Sequence, residues 1–446
     1  MEQTGFIACV DFGTSTITGL LGRRNEQDVI SIIAAESIPS GSSVKHGIVY
    51  NTDEAAGKIK KLISLLENKV GKKIGKVYVS IAGMSLKSIE HIQTQRLMGE
   101  TPVSFSIINK MEEQARLSRP ALLANYGVVS PEIFLDSVRV EDYLDKTATI
   151  IEARYRLIAG RPNIKVNLHR CITEKNNIEI AGYIVGPVAT GAILLDEEDK
   201  NRGCALVDFG GGTTSVSIYK DGLLKYLSVI PFGGRTITKD IQSLGIAFDT
   251  AESYKMRFGK VGKDKNKPSA EKGTFKDSTI DVKEFNKIIQ LRQDEIILNV
   301  INQIQESGYA DELEAGIIMT GGASQMNGLE EYLAEKAKMP VKRGTIKRLY
   351  INNATDLLQN PSYSQCLGLM LFSKDNCEKI ETPKPDHIAN VENAESSGTS
   401  AESGENGKKE DNTKGKVKKE KKDGGRQKSI FDFLHNVGGA IFKDEE

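Results

Sequence analysis

The strongest constraint on the fold is a short pattern that occurs twice. Ala8, Val10, Asp11, Phe12 and Gly13 in "ACVDFGTSTITGLL" recur as Ala205, Val207, Asp208, Phe209 and Gly210 in "ALVDFGGGTTSVSIY". Each copy has an apolar run, an aspartate, a glycine turn with small hydroxylated residues, and a second alternating run. Either copy alone reads as an ordinary hairpin. Two copies a domain's length apart read as a duplicated domain rather than a solenoid period. Gly210, Gly211 and Gly212 in a row between two strand patterns cost stability. The turn must therefore be tight, or something must approach its bare backbone.

The surrounding pattern gives the class. "FIACVDFG", "ITGLLGR" and "VISIIAAES" read as strands. A helix follows from Thr52 to Val70, where Ile59, Leu62, Ile63, Leu66 and Val70 recur at three- and four-residue steps, and "KVYVSIAG" is a further strand. This order implies an α/β mixed sheet carrying helices. From Leu86 to Lys165 the texture changes, with "VSPEIFLDSVRV", "TATIIEARYRLIAG" and a helix around Asn109 to Leu117, which reads as an inserted subdomain. The first pattern returns from Gly203 and continues to "AGIIMTGGASQMNGLEEYL", interrupted by a mainly helical segment. The expected organisation is a first domain at 1–85 and 166–202, an insertion at 86–165, a second domain at 203–249 and 308–377, and a helical subdomain at 250–307.

A chain of 446 residues has room for two to four domains. Sixty basic and sixty acidic residues leave no net charge, so bulk electrostatics names no partner and nucleic acid is not expected. The five cysteines and five histidines are scattered without a C-x-x-C, which speaks against zinc and for a reducing cytoplasm. The N-terminus lacks a basic region followed by an apolar core, so no signal peptide is expected. No apolar run approaches the roughly 20 residues that span a bilayer.

After Cys377 the composition breaks. Residues 378–428 contain no aromatic and read as a disordered linker. Glu378 to Gly407 carries seven acids and two lysines; Lys408 to Lys428 carries ten basic residues and four acids. Residues 429–443 then fit a helix. Ile430, Phe431, Phe433, Leu434, Val437, Ala440, Ile441 and Phe442 share one side, and Ser429, Asp432, His435, Asn436 and Lys443 the other. A helix docking on its own core has the same pattern. The linker, with an end-to-end distance of about 40 Å, favours a more distant surface. A basic approach followed by an apolar arc suits an anionic membrane, as a reversible anchor.

Three glycine turns supply the chemistry: Gly13-Thr14-Ser15, Gly210-Gly211-Gly212-Thr213, and Gly321-Gly322-Ala323 after the strand "AGIIMT". Backbone N–H groups in tight turns form anion nests, and the missing Cβ lets a phosphate approach. Asp11 and Asp208 end their strands at one cleft if the duplication holds, and two carboxylates beside phosphates need a cation, for which Mg²⁺ is the natural choice. No Walker A loop and no well-placed G-x-G-x-x-G occurs.

These three turns, in this order and spacing, resemble the first phosphate loop, second phosphate loop and adenosine loop of the actin-like ATPases, a fold of duplicated ribonuclease H-like domains. The resemblance implies two domains closing on Mg-ATP. Within that superfamily, "VIPFGGRTITKDI", "TGGASQMNGLEEYLAEKAKMPVKRG", the insertion and the linker-plus-helix tail resemble the FtsA family of bacterial division proteins. The resemblance covers residues 5–375 and the tail layout. It implies an FtsA-type inserted subdomain and nucleotide-gated assembly or slow ATP hydrolysis, with no catalytic residue evident. It also implies protofilaments and attachment to the cytoplasmic face of the inner membrane at the division site. The C-terminal peptide of FtsZ would dock on residues 250–307, and other division proteins are further partners. Glu252, Lys255 and Arg257 fall where the family contacts the nucleoside; a solvated helix face is the other reading. Arg292 falls where the family has a basic residue for the FtsZ peptide; pairing with Asp294 or Glu295, or facing solvent, is the alternative. The lysine-rich loop at 260–278 departs from the family. The nearest alternative function is a pilus-assembly scaffold of the PilM type, which lacks the charged linker and terminal helix.

Overall fold

Both copies of the repeated pattern are hairpins. The computed structural model describes residues 5–99, 101–262, 280–347, 349–379 and 441–442. β1 (Ile7–Phe12) turns through residues 13–15 into β2 (Thr16–Arg24), with Asp11 opposite Thr18, and β3 (Ile30–Pro39) continues the meander. A short hairpin, β4 (Val44–Lys45) and β5 (Ile48–Val49), leads into α1 (Thr52–Val70). Asn51 caps α1 by accepting from the N–H groups of Asp53 and Glu54, and Gly71, left-handed at φ 68, ends it. Ile59, Leu62, Ile63 and Leu66 are buried, as their spacing requires. β6 (Lys76–Ile81) then pairs parallel with β1.

The insertion follows: β7 (Lys87–Arg96), α2 (Phe105–Leu117), β8 (Ala124–Leu135), β9 (Val138–Val140) and β10 (Ile150–Gly160). It has its own core, including Val103, Met111, Ile151 and Tyr155, whereas Leu86 and Ile164 at its margins pack with the first domain. The chain returns through α3 (Asn163–His169), β11 (Glu179–Val185) parallel to β6, α4 (Gly186–Leu194) and α5 (Glu197–Arg202).

The second copy repeats the plan. β12 (Cys204–Phe209), β13 (Thr214–Lys220) and β14 (Leu223–Ile230) form the meander, with Asp208 opposite Ser215. Helices α6 (Gly234–Ile241), α7 (Phe248–Phe258) and α8 (Val282–Glu306) precede β15 (Ile317–Thr320), which lies parallel to β12. α9 (Leu329–Ala337) and β16 (Val341–Arg343) close the unit. The first sheet contains the order β3-β2-β1-β6-β11 and the second β14-β13-β12-β15-β16. Strand order, direction and register therefore agree between the copies, and the fold is the actin-like α/β arrangement.

The structure departs from the sequence expectation in three places. The second domain, expected to run to residue 377, ends earlier. β17 (Ile351–Asn352) pairs with β3, and after α10 (Thr355–Gln359) helix α11 (Ser364–Phe372) packs against α4 and β1. "SQCLGLMLF" is apolar on every side, so α11 needs a site enclosed all round, and the first domain supplies it. Arg24 fixes its end: Nη2 donates to the carbonyls of Met370, Leu371 and Ser373 at 2.8, 3.0 and 3.0 Å. Next, the inserted subdomain is also joined to the second domain, a contact the sequence did not mark, because the second sheet continues as β14-β7-β10-β8-β9. Finally, Ile441 and Phe442, expected at the end of the terminal helix, form a short strand β18 (Ile441–Phe442). It is antiparallel to β11, Ile441 opposite Ile184 and Phe442 opposite Tyr183, because the outer edge of β11 offers unpaired N–H and C=O groups. The rest of that expected helix, with Ile430, Phe431, Phe433, Leu434 and Val437, lies outside the described residues, as do residues 263–279 of the lysine-rich loop and the linker from 380. No described helix is long and apolar enough to cross a membrane.

Candidate functional site: a cleft between the duplicated domains

The two phosphate-type turns meet. A Cβ on Gly211 would lie 2.1 Å from Ser15 Oγ, and one on Gly212 would lie 2.5 Å from the Thr14 side chain. Only glycine allows this approach. Gly13 and Gly210 are equivalent within their hairpins, each with a carbonyl three residues on, Thr16 O or Thr213 O, where a Cβ would sit. A cleft of about 680 Å³ opens beside the turns, a size that suits a nucleotide. It is lined by Asp11, Gly13, Thr14, Ser15, Asp208, Gly210, Gly211, Thr213, Glu252, Lys255, Gly321, Gly322 and Ala323, so residues expected from all three turns and from α7 converge there.

The hydrogen bonds around the turns orient them. Gly13 O accepts from Ser40 Oγ at 2.6 Å, Thr14 O from Arg235 Nη1 at 3.3 Å, and Ser15 O from the Ser40 N–H at 2.9 Å. Gly210 O accepts from the Gly234 N–H at 3.0 Å and Gly211 O from the Arg235 N–H at 2.7 Å, while Gly212 O lies 3.0 Å from His46 Nδ1. The carbonyl oxygens of both turns are thus engaged by the scaffold. That is the condition for a turn to offer its N–H groups to an anion.

The two aspartates occupy matched positions with unlike surroundings. Asp11 Oδ1 accepts from Ser80 Oγ and Gln365 Nε2, both at 2.5 Å. Burial raises its pKa and these two donors oppose the rise. Asp208 is pushed up to about 7, first by burial and then by the charge of Asp11. Two desolvated carboxylates facing one cleft repel each other, and a cation would relieve both. Among the described residues no cluster of three or more His, Cys, Asp or Glu forms a metal cage. The pair fits Mg²⁺, which keeps most of its waters and asks little of the protein.

Lys255, 8 % exposed, donates from Nζ to Gly234 O at 2.9 Å, Thr238 Oγ1 at 2.8 Å and Glu252 Oε2 at 2.8 Å. Burial lowers its pKa and Glu252 opposes that. Glu252 and Lys255 therefore face the cleft, not solvent. Gly321 takes φ +90, with Asp208 Oδ1 only 2.2 Å from where a Cβ would be, so the third turn closes directly behind Asp208.

Arg292 stands apart from this cleft on α8. It pairs with Asp240 of α6, where Nη2 lies 3.2 Å from Oδ1, and with Glu295. The Glu295 pair matches one sequence alternative. Asp294 instead engages Tyr332 and Lys336.

Sequence reasoning missed Ser80, Gln365, Ser40, His46 and Arg235. Arg235 lies within the quoted "VIPFGGRTITKDI", and the glycines before it were the available signal. Gln365 lies on α11, whose return to the first domain the sequence did not reveal, so nothing marked it.

The sequence model of the cell division protein FtsA family matches residues 205–368. The chain is 28% identical over 398 residues to the cell division protein FtsA of Porphyromonas gingivalis, covering 86% of this chain and 82% of that protein. It is 27% identical over 392 residues to the FtsA of Bacillus subtilis, covering 84% of this chain and 85% of that one. A solved structure of the PilM–PilN type IV pilus biogenesis complex superposes with a TM-score of 0.58 at 15% identity, covering 82% of this chain and 98% of that one, which supports the fold alone. The matched segment and the coverage of more than four fifths of each relative agree: the chain is similar to the cell division protein FtsA family.

Proposed function

We propose that this protein binds Mg-ATP in the cleft and anchors FtsZ filaments to an anionic membrane during septum assembly, polymerising along the cytoplasmic face of the inner membrane. The observation that carries the nucleotide part is the facing pair of turns, their carbonyls engaged outward, beside Asp11 and Asp208. In this reading the backbone N–H groups of residues 13–15 and 211–213 hold the phosphates, the Gly210 N–H being used within its turn to bond Thr213 O. Asp11 and Asp208 hold Mg²⁺ through water. Glu252, Lys255 and the turn at residues 321–323 take the nucleoside. Bound Mg²⁺ would neutralise the phosphates; the protein's own part is to orient them and to join the two domains around them.

The membrane part rests on residues 408–437, where basic charge precedes the apolar residues Ile430, Phe431, Phe433, Leu434 and Val437. The FtsZ part rests on similarity to the FtsA family and on the helical subdomain containing Arg292. Arg292 is already paired, so an incoming peptide carboxylate would have to displace Glu295, the more exposed of its partners. Self-assembly would make many weak anchors act together. The test is flotation of FtsZ with anionic vesicles in Mg-ATP. FtsZ should float only with the full chain and not with residues 1–428 or the Phe431→Glu variant. Equal flotation with the truncated chain would refute the anchoring role.

A further inference from the structure

We propose that the β13–β14 hairpin acts as a lever that couples the cleft to the inserted subdomain. This goes beyond the function proposed above and depends on neither nucleotide nor membrane. By covalent connection the insertion belongs to the first domain, leaving β6 through residues 82–86 and returning at Gly160 into α3. By contact it also belongs to the second. Ser228 pairs with Lys87, and Ser88 Oγ accepts from the Leu227 N–H at 2.9 Å. Lys225 on β14, its side chain 3% exposed, pairs with Glu132 on β8 at 2.7 Å. At the hairpin tip Arg139 reaches Asp221 at 2.8 Å and Glu132 at 3.3 Å. Separating a buried ammonium from its carboxylate leaves an uncompensated charge, so this contact resists sliding.

The other end of the same hairpin is the cleft. β13 begins at Thr214, directly after the Gly210–Thr213 turn. β14 runs into Gly234 and Arg235, whose N–H groups hold the carbonyls of that turn. The strand between them spans about 23 Å at the usual rise per residue. The insertion's outgoing connector also reaches the cleft: Ala82 and Gly83 line it, and Gly83 sits at φ 129, a conformation open to glycine. The insertion thus straddles both domains. Any change in their separation must move residues 82–86 or the contact with β14, and by reciprocity the contact biases the cleft.

Hydrogen exchange on the full chain tests this in wild type, Glu132→Gln and Asp221→Asn. Asn at 221 tolerates the left-handed turn, φ 53, while losing the charge. Arg116→Gln, which breaks the Arg116–Glu112 pair inside the insertion, is the control. The two variants of this contact should speed exchange at β8 and β9 and also at residues 210–214 and 233–235, by about threefold or more. The control should leave the cleft turns unchanged. Acceleration confined to β8 and β9 would overturn the proposal. Should Glu132→Gln fail to fold, Asp221→Asn at the solvent-reached tip still decides. Mg-ATP added to wild type should slow exchange in the cleft and at β7–β9 together, and slowing in the cleft alone would also overturn it. A wild type that binds no nucleotide would count against the proposed function only, since the comparison of free proteins needs no ligand.

Discussion

Replacing Asp208 by Asn should stabilise the free protein at pH 8 and leave its stability unchanged near pH 4. The folded Asp208 titrates near 7, whereas its ordinary value is 3.8. Between these values the folded state holds a proton that the unfolded state has released. Stability therefore falls as pH rises from about 4 to about 7 and is flat above. The full gap corresponds to about 4 kcal/mol, and because Asp11 shares the cost and solvent enters the cleft we expect about 2–4 kcal/mol. Asn keeps the shape and removes the ionisation. Urea denaturation at pH 4, 6 and 8, comparing variant with wild type so that other titrating groups cancel, reads the difference directly. A growing advantage of the variant from pH 4 to pH 8 is expected. A variant equally stable at every pH, or less stable at pH 8, would show that the cleft imposes no such electrostatic load.

Arg24→Met should cost about 2–4 kcal/mol in urea denaturation, because three carbonyls at the end of α11 lose a shared, largely buried cationic donor. Arg292→Gln should weaken binding of the FtsZ C-terminal peptide by about 1 kcal/mol in a fluorescence titration, the size of one solvent-reached charge contact; unchanged affinity would remove Arg292 from the interface.

The duplicated core was legible because its signals are local. Periodicity gave α1, and the twin A-x-V-D-F-G patterns gave both hairpins and the glycine turns, including the placement of Asp11 and Asp208. What escaped notice depends on tertiary context. α11 is apolar on every face, so its pattern could not say which domain encloses it, and Gln365 went with it. The junction of the β13–β14 hairpin with the insertion rests on one backbone pair and one side-chain hydrogen bond to β7 and on ion pairs to residues of β8 and β9, none with a sequence signature. Ile441 and Phe442 fit a helical arc by spacing, yet two apolar residues fit a strand equally well when an open edge such as β11 is available.

The central claim is that Mg-ATP sits between the facing turns, and calorimetric titration with wild type and Gly211→Val tests it most directly. A valine side chain would enter the space where Ser15 Oγ lies 2.1 Å from the position of its Cβ, forcing the turns apart without touching either domain core. The account predicts Mg-dependent binding to wild type, lost or weakened about a hundredfold in the variant, equivalent to about 3 kcal/mol. Equal affinity in both proteins, with the variant folded, would place the nucleotide elsewhere and contradict the assignment of the cleft.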